Sequence, residues 1–92
     1  MGKVKQVKLF WRAECPQCGN AKIVGGQLKA EGLDVYDYNL DTTDGLAEAS
    51  FYGVMSTPTI IIEDERENTI ALFSGQIPPY TEVKKTLLGL YQ

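Results

Sequence analysis

Apolar residues recur along the chain in two rhythms, and the switches between them mark its elements. From Val4 to Trp11, the residues Val4, Val7, Leu9, Phe10 and Trp11 stand among polar ones, a β-branched and aromatic run that predicts a strand. Its last residues are continuously apolar, as in a strand covered on both faces. Pro16 suits a first helical turn, where its missing N–H costs nothing, and Ala21, Val24 and Leu28 then recur at helical spacing until Gly32 supplies a stop. Gly25 and Gly26 each weaken that helix by roughly 1 kcal/mol relative to alanine if exposed, so close packing is expected at both. Leu33 to Leu40 reads as a second strand. Thr42, Thr43 and Asp44 offer caps for a short helix reaching Tyr52 and closed by Gly53. Ser56-Thr57-Pro58-Thr59 leads into Ile60-Ile61-Ile62, a buried strand, and the acidic stretch Glu63 to Asn68 predicts a solvated hairpin tip. Thr69 to Phe73 pairs back, Gly75 ends it, and Pro78-Pro79 opens a last helix with Tyr80, Val83, Leu87 and Leu90 on one face. The predicted order is β-α-β-α-β-β-α.

Composition narrows the partners. With 92 residues, 43% of them hydrophobic and 23% charged, the chain is expected to form one globular domain over residues 1–92. Nine Lys and Arg against twelve Asp and Glu give a net charge of −3, and the scattered Lys3, Lys5 and Lys8 make no basic surface for a nucleic acid. No apolar run approaches the roughly 18 residues that span a bilayer, and Met1 to Gln6 lacks the apolar core of a secretory signal. A cytoplasmic monomer with neither nucleic-acid nor membrane partners is the expectation.

The candidate chemistry is that of sulfur. There is no histidine, which excludes Ser-His-Asp and Cys-His machinery, and the two cysteines are spaced Cys15-Pro16-Gln17-Cys18. So small a loop would constrain little of the unfolded chain as a static bridge. A metal site needs four ligands, so zinc or an iron–sulfur cluster would require a dimer or an external thiol. No cofactor beyond a redox-active Cys15–Cys18 disulfide is expected. A helix N-terminus favours a thiolate, with Arg12 assisting and Glu14 opposing. Cys15 at the helix entrance would attack, and Cys18, one turn further in, would resolve. Trp11, Tyr36 and Tyr38 read as core and sheet-face residues, Glu63-Asp64-Glu65 as a solvated tip, and Lys84-Lys85 as the wet face of the last helix.

A strand ending in Cys-Pro-Gln-Cys at a helix start, a later Thr57-Pro58 before a strand, and a terminal hairpin plus helix resemble the thioredoxin fold. That resemblance implies an α/β architecture with a four-stranded mixed sheet flanked by three helices. The length, Arg12 and Ala21-Lys22 are similar to glutaredoxins. Gln17 and Ser74-Gly75-Gln76-Ile77-Pro78 resemble the glutaredoxin-like redoxins that supply electrons to ribonucleotide reductase. The resemblance implies a thiol–disulfide oxidoreductase with protein disulfide clients, ribonucleotide reductase among them, recharged by a thioredoxin-type reductase. It also implies that the Thr57-Pro58 bond is cis, that Thr57 docks the client by its backbone, and that Arg12, Pro16, Gln17, Pro58 and Gly75 contribute to substrate binding. A glutathione-dependent glutaredoxin is the alternative, and a dimeric iron–sulfur or metal carrier using the same cysteines a further one.

The sequence also departs from these families. Leu9 and Glu14 stand where thioredoxins carry a buried Asp and a Trp. Gly75-Gln76 breaks the Gly-Gly that helps glutaredoxins hold glutathione. Asp37, on the strand that neighbours Leu9 in such a fold, reads either as a substitute proton acceptor or as a strand-end carboxylate.

Overall fold

The computed structural model describes residues 4–90. Its elements are β1 (Val4–Trp11), α1 (Cys18–Ala30), β2 (Asp34–Asn39), α2 (Thr43–Tyr52), β3 (Thr59–Asp64), β4 (Thr69–Ser74) and α3 (Tyr80–Leu90), in the predicted order. The sheet runs β2-β1-β3-β4, with β1 parallel to β2 and the β1–β3 and β3–β4 pairs antiparallel. β1 is therefore central, and helices cover it on both sides.

Register explains the unbroken apolar runs. Leu9 pairs with Ile60 and Val7 with Ile62, and these four belong to one core with Ala21, Val24 and Leu28 of α1 and Val83 and Leu87 of α3. The alternate residues Phe10 and Ile61 face the other way, into a second core with Leu40, just past β2, and Ala49 of α2. Because side chains alternate along a strand, a strand serving two cores has no polar face to show. Tyr38 stacks on Phe10 with ring centroids 5.3 Å apart, while Tyr36 on the same strand is exposed. Lys84 and Lys85 are exposed as expected, and Lys84 bonds Glu31 at 2.9 Å, which ties α3 to the end of α1.

Caps follow the sequence reading at α2. The Thr42 hydroxyl accepts the Gly45 N–H at 3.0 Å, and Gly53 ends the helix at φ 70°. Gly45 has no alternative, since a Cβ there would run into the Asn39 carbonyl. At α3, Pro79 supplies the carbonyl that the Glu82 and Val83 N–H groups reach, at 2.9 and 3.1 Å. The Leu90 side chain, and Lys3, lie outside the described residues.

Three expectations change. Glu63 and Asp64 are not a solvated tip: β3 continues through both, because Gln6 and Val4 of β1 still pair with them. Glu63 is fully buried, with one carboxylate oxygen accepting from Gln6 Nε2 at 2.6 Å and the other lacking a hydrogen-bond partner among the described residues. The tip is Glu65 to Asn68, closed by Asp64, whose Oδ1 accepts the Arg66 and Asn68 N–H groups at 2.8 and 2.9 Å. The Asn68 and Arg66 amides hold the Asp64 carboxyl below its ordinary pKa. α1 begins at Cys18, so Pro16 belongs to the turn ahead of the helix. Of Gly25 and Gly26, only Gly25 is closely packed, its missing Cβ facing Leu9 at 3.2 Å, whereas Gly26 faces open space.

Candidate active site

The C-terminal ends of β1, β2 and β4 and the start of β3 meet at one end of the sheet, and the predicted site residues gather there. Cys15 and Cys18 are joined by a disulfide, with Cα atoms 5.3 Å apart. A turn, not a helix, carries the first of them: the Cys18 N–H donates to the Cys15 carbonyl at 3.2 Å, and Cys18 is the first residue of α1. The expected placement of Cys18 one turn inside the helix is thereby corrected. The consequence for access survives. Cys18 is 3% exposed, on the buried side of α1, while Cys15 is half-buried.

The loop from Arg12 to Glu14 is held by a residue the sequence reading passed over. Asp41 accepts the Ala13 N–H at 3.2 Å through one oxygen, and its other oxygen lies 3.6 Å from Arg12 Nε. Its only sequence signal is its position just past a strand parallel to β1, since parallel neighbours end side by side. Arg12, expected to bind substrate, is thus already paired.

Across from the cysteines, the Thr57-Pro58 bond is cis and Pro58 is buried. Phe10 pairs with Thr59, which puts Pro58 level with Trp11 on the neighbouring strand. The Gly75 N–H donates to the Pro58 carbonyl at 2.9 Å, and Gly75 takes φ 77°, a conformation that favours glycine. Thr57 is half-buried, and among the described residues its N–H and carbonyl have no backbone partner. Pro16 and Gln17 are exposed, and they form one wall of a groove of about 530 Å³ whose other wall is Gln76 to Pro79. Asn20 spans its floor, donating to the Ile77 carbonyl at 3.0 Å. No charged side chain lines this groove.

Behind the cysteines, Lys22 sits 3.4 Å over the Trp11 ring, whose indole N–H is buried without a partner. Asp37 pairs in register with Leu9, as expected, but its side chain is exposed and lines a shallow groove with Lys22 and Lys29. Among the described residues no three His, Cys, Asp or Glu side chains form a metal-holding group, and no helix is long and apolar enough to cross a membrane.

No family model matches the chain. A protein of Archaeoglobus fulgidus described as a probable thioredoxin is 35% identical over 60 residues, which span 64% of this chain and 66% of that protein. Thioredoxin 1 of the thermophilic eubacterium Thermosipho africanus superposes with a TM-score of 0.77 over 94% of this chain and 93% of its own, at 20% identity. Oxidized thioredoxin O2 of Arabidopsis thaliana does so with a TM-score of 0.77 over 98% and 77%, at 18% identity. With the strand order β2-β1-β3-β4, these likenesses show that the chain has the thioredoxin fold, in which it carries the bonded, CxxC-spaced Cys15–Cys18 pair.

Proposed function

We propose that the chain is a dithiol–disulfide oxidoreductase that reduces protein disulfides, with Cys15 attacking and Cys18 resolving. The observation that carries this reading is the unequal exposure of the two bonded cysteines: Cys15 is half-buried and Cys18 is 3% exposed. In this reading the client approaches from the Cys15 side. In the reduced protein the Cys15 thiolate attacks one sulfur of the client disulfide, the client S–S bond breaks, and the second client sulfur leaves as a thiolate that takes up a proton. The Cys18 thiol then loses its proton and attacks Cys15 Sγ, which expels the other client thiolate and restores the Cys15–Cys18 bond. Two electrons pass to the client, and a dithiol donor must return two. Cys15 stands in the turn just ahead of α1, and the neighbourhood of a helix N-terminus favours an attacking thiolate.

Thr57 is the docking residue in this reading, since its free N–H and carbonyl can accept one extended strand of a client. The neutral groove beside Pro16 and Gln17 favours a protein client over glutathione, which needs partners for two carboxylates. Arg12, the nearest candidate for that task, is engaged by Asp41. A thioredoxin-type reductase is accordingly the proposed donor, and ribonucleotide reductase is a client to test, on the strength of the sequence resemblance alone. Cys18→Ser should accumulate mixed disulfides with clients and Cys15→Ser none. Faster alkylation of Cys18 than of Cys15 in the reduced protein would reverse the roles.

A further inference from the structure

Three hydroxyls meet beside the Thr57-Pro58 turn. Ser56 Oγ lies 3.1 Å from Ser74 Oγ, Thr59 Oγ1 lies 3.3 Å from Ser74 Oγ, and Thr59 Oγ1 donates to the Ser56 carbonyl at 2.8 Å. Each hydroxyl has one hydrogen to give. Thr59 gives its hydrogen to the Ser56 carbonyl, so toward Ser74 it can only accept. Ser74 must then donate to Thr59, which leaves Ser56 as the donor to Ser74. The directions close into a ring: Ser56 to Ser74, Ser74 to Thr59, Thr59 back to the Ser56 main chain. Hydrogen bonds linked head to tail polarise and strengthen one another.

This ring sews the turn that bears Thr57 to the end of β4. The Gly75 N–H, donating to the Pro58 carbonyl at 2.9 Å, is a second stitch one residue further along. Ser74 and Thr59 face each other in the β3–β4 register, so the ring is anchored in the sheet and not in the loop it restrains. We propose that Ser74 is a positioning residue for client docking: by closing the hydroxyl ring it holds Ser56 to Pro58, and with them the free main chain of Thr57, in one place beside the cysteine pair. The inference rests on the reading of the protein as a reductase of protein disulfides. A preformed strand-docking edge binds more tightly than one that must be ordered on contact.

The test uses the full chain, insulin as the disulfide client and dithiothreitol as the electron source. Ser74→Val removes the hydroxyl and adds a methyl, and Ser74→Thr, of the same shape with the hydroxyl kept, is its matched control. Ser74→Val should raise KM for insulin about three- to tenfold, the worth of one hydrogen bond, while kcat stays within about twofold. Ser74→Thr should restore KM. Ser56→Ala should raise KM alike, and the double variant should be no worse than either single one, because both break the same ring. Amide exchange at Gly75 reads the ring without any client and should quicken in Ser74→Val and Ser56→Ala. Unchanged Gly75 exchange in Ser74→Val overturns the ring. Faster exchange with an unchanged KM, or additive effects of the two substitutions, overturns its role in docking. A wild-type protein that does not speed insulin reduction over dithiothreitol alone defeats the underlying reading and the docking role with it, while Gly75 exchange still judges the ring.

Discussion

Lys8 donates to Glu48 at 2.8 Å, and that bond joins the central strand of the sheet to the helix lying over it. The ammonium also sits 4.5 Å over the ring of Tyr52, and its side chain is only 11% exposed. Burial alone would depress the Lys8 pKa. The hydrogen bond to Glu48, the Tyr52 hydroxyl and the nearby tyrosine charges outweigh burial and hold it above the ordinary lysine value. Burial likewise raises the hydroxyl pKa values of Tyr38 and Tyr52.

All three groups bind their protons more tightly in the folded chain than in the unfolded one. Their contribution to stability is therefore complete below the unfolded values, about 10 to 10.4, and is lost as pH rises through the folded ones. Denaturant melts should show constant stability from these groups up to about pH 10 and a decline above it. Lys8→Met leaves Glu48 without its partner and should cost about 1–3 kcal/mol at neutral pH. It should also flatten the alkaline decline. An equal decline in both proteins would show that Lys8 does not carry it.

Gln6 of β1 and Glu63 of β3 form a second polar pair, this one between the two inner strands of the sheet, and here the carboxylate is fully buried. Gln6→Leu removes the donor that Glu63 accepts from, at a cost of about 1–3 kcal/mol. Adding Glu63→Leu should recover most of that loss, since an apolar pair of similar shape leaves nothing unpaired. Chemical denaturation of the two singles and the double measures the coupling. A double variant as unstable as the sum of the singles would mean that the pair is not a unit.

The glycines of α1 separate two reasons for the same residue. A methyl at Gly26 meets nothing within 4 Å, so Gly26→Ala should stabilise by about 0.5–1 kcal/mol through helix propensity alone. A methyl at Gly25 would come within 3.2 Å of Leu9, itself buried, so Gly25→Ala must displace a core side chain and should give up that gain. Thermal melts of the two variants should order Gly26→Ala above Gly25→Ala. The reverse order would refute the packing argument.

What the sequence made legible is what depends on local pattern. Seven elements and their order could be read because strands and helices bury apolar residues with different periods, and because Thr42, Gly53 and Pro79 act at their own positions. The cysteine pair was legible as well, since its spacing is itself the motif. Apart from the start of α1, the misreadings share one physical origin, which is partnership with the sheet. Glu63 looks like a turn residue until β1 pairs with it. Asp41 looks like surface until the parallel strands bring it to Ala13 and Arg12. Gly25 and Gly26 are indistinguishable until Leu9 lies under one of them. The Ser56, Ser74 and Thr59 hydroxyls are ordinary polar residues until the β3–β4 register gathers them.

Arg12 and Asp41 also bear on the proposed choice of electron donor. Glutathione offers two carboxylates, and each must find a cation or a set of N–H groups to leave water at no loss. The groove next to Cys15 and Cys18 is lined by side-chain amides, prolines and Ile77, with no cation, and Pro78 and Pro79 carry no N–H to offer. Arg12 lies with Nε 3.6 Å from Asp41, so recruiting it for glutathione means giving up that pair. Turnover of insulin with glutathione and glutathione reductase should therefore fall below turnover with a thioredoxin-type flavoprotein by about tenfold or more, the worth of one charge-assisted hydrogen bond. Asp41→Asn frees Arg12 from its carboxylate and should narrow the gap from the glutathione side. Glutathione-driven turnover equal to or above the flavoprotein rate in the wild-type chain would overturn the assignment and favour the glutathione-dependent reading. A gap that persists unchanged in Asp41→Asn would show that the neutral groove, and not the captive arginine, keeps glutathione out.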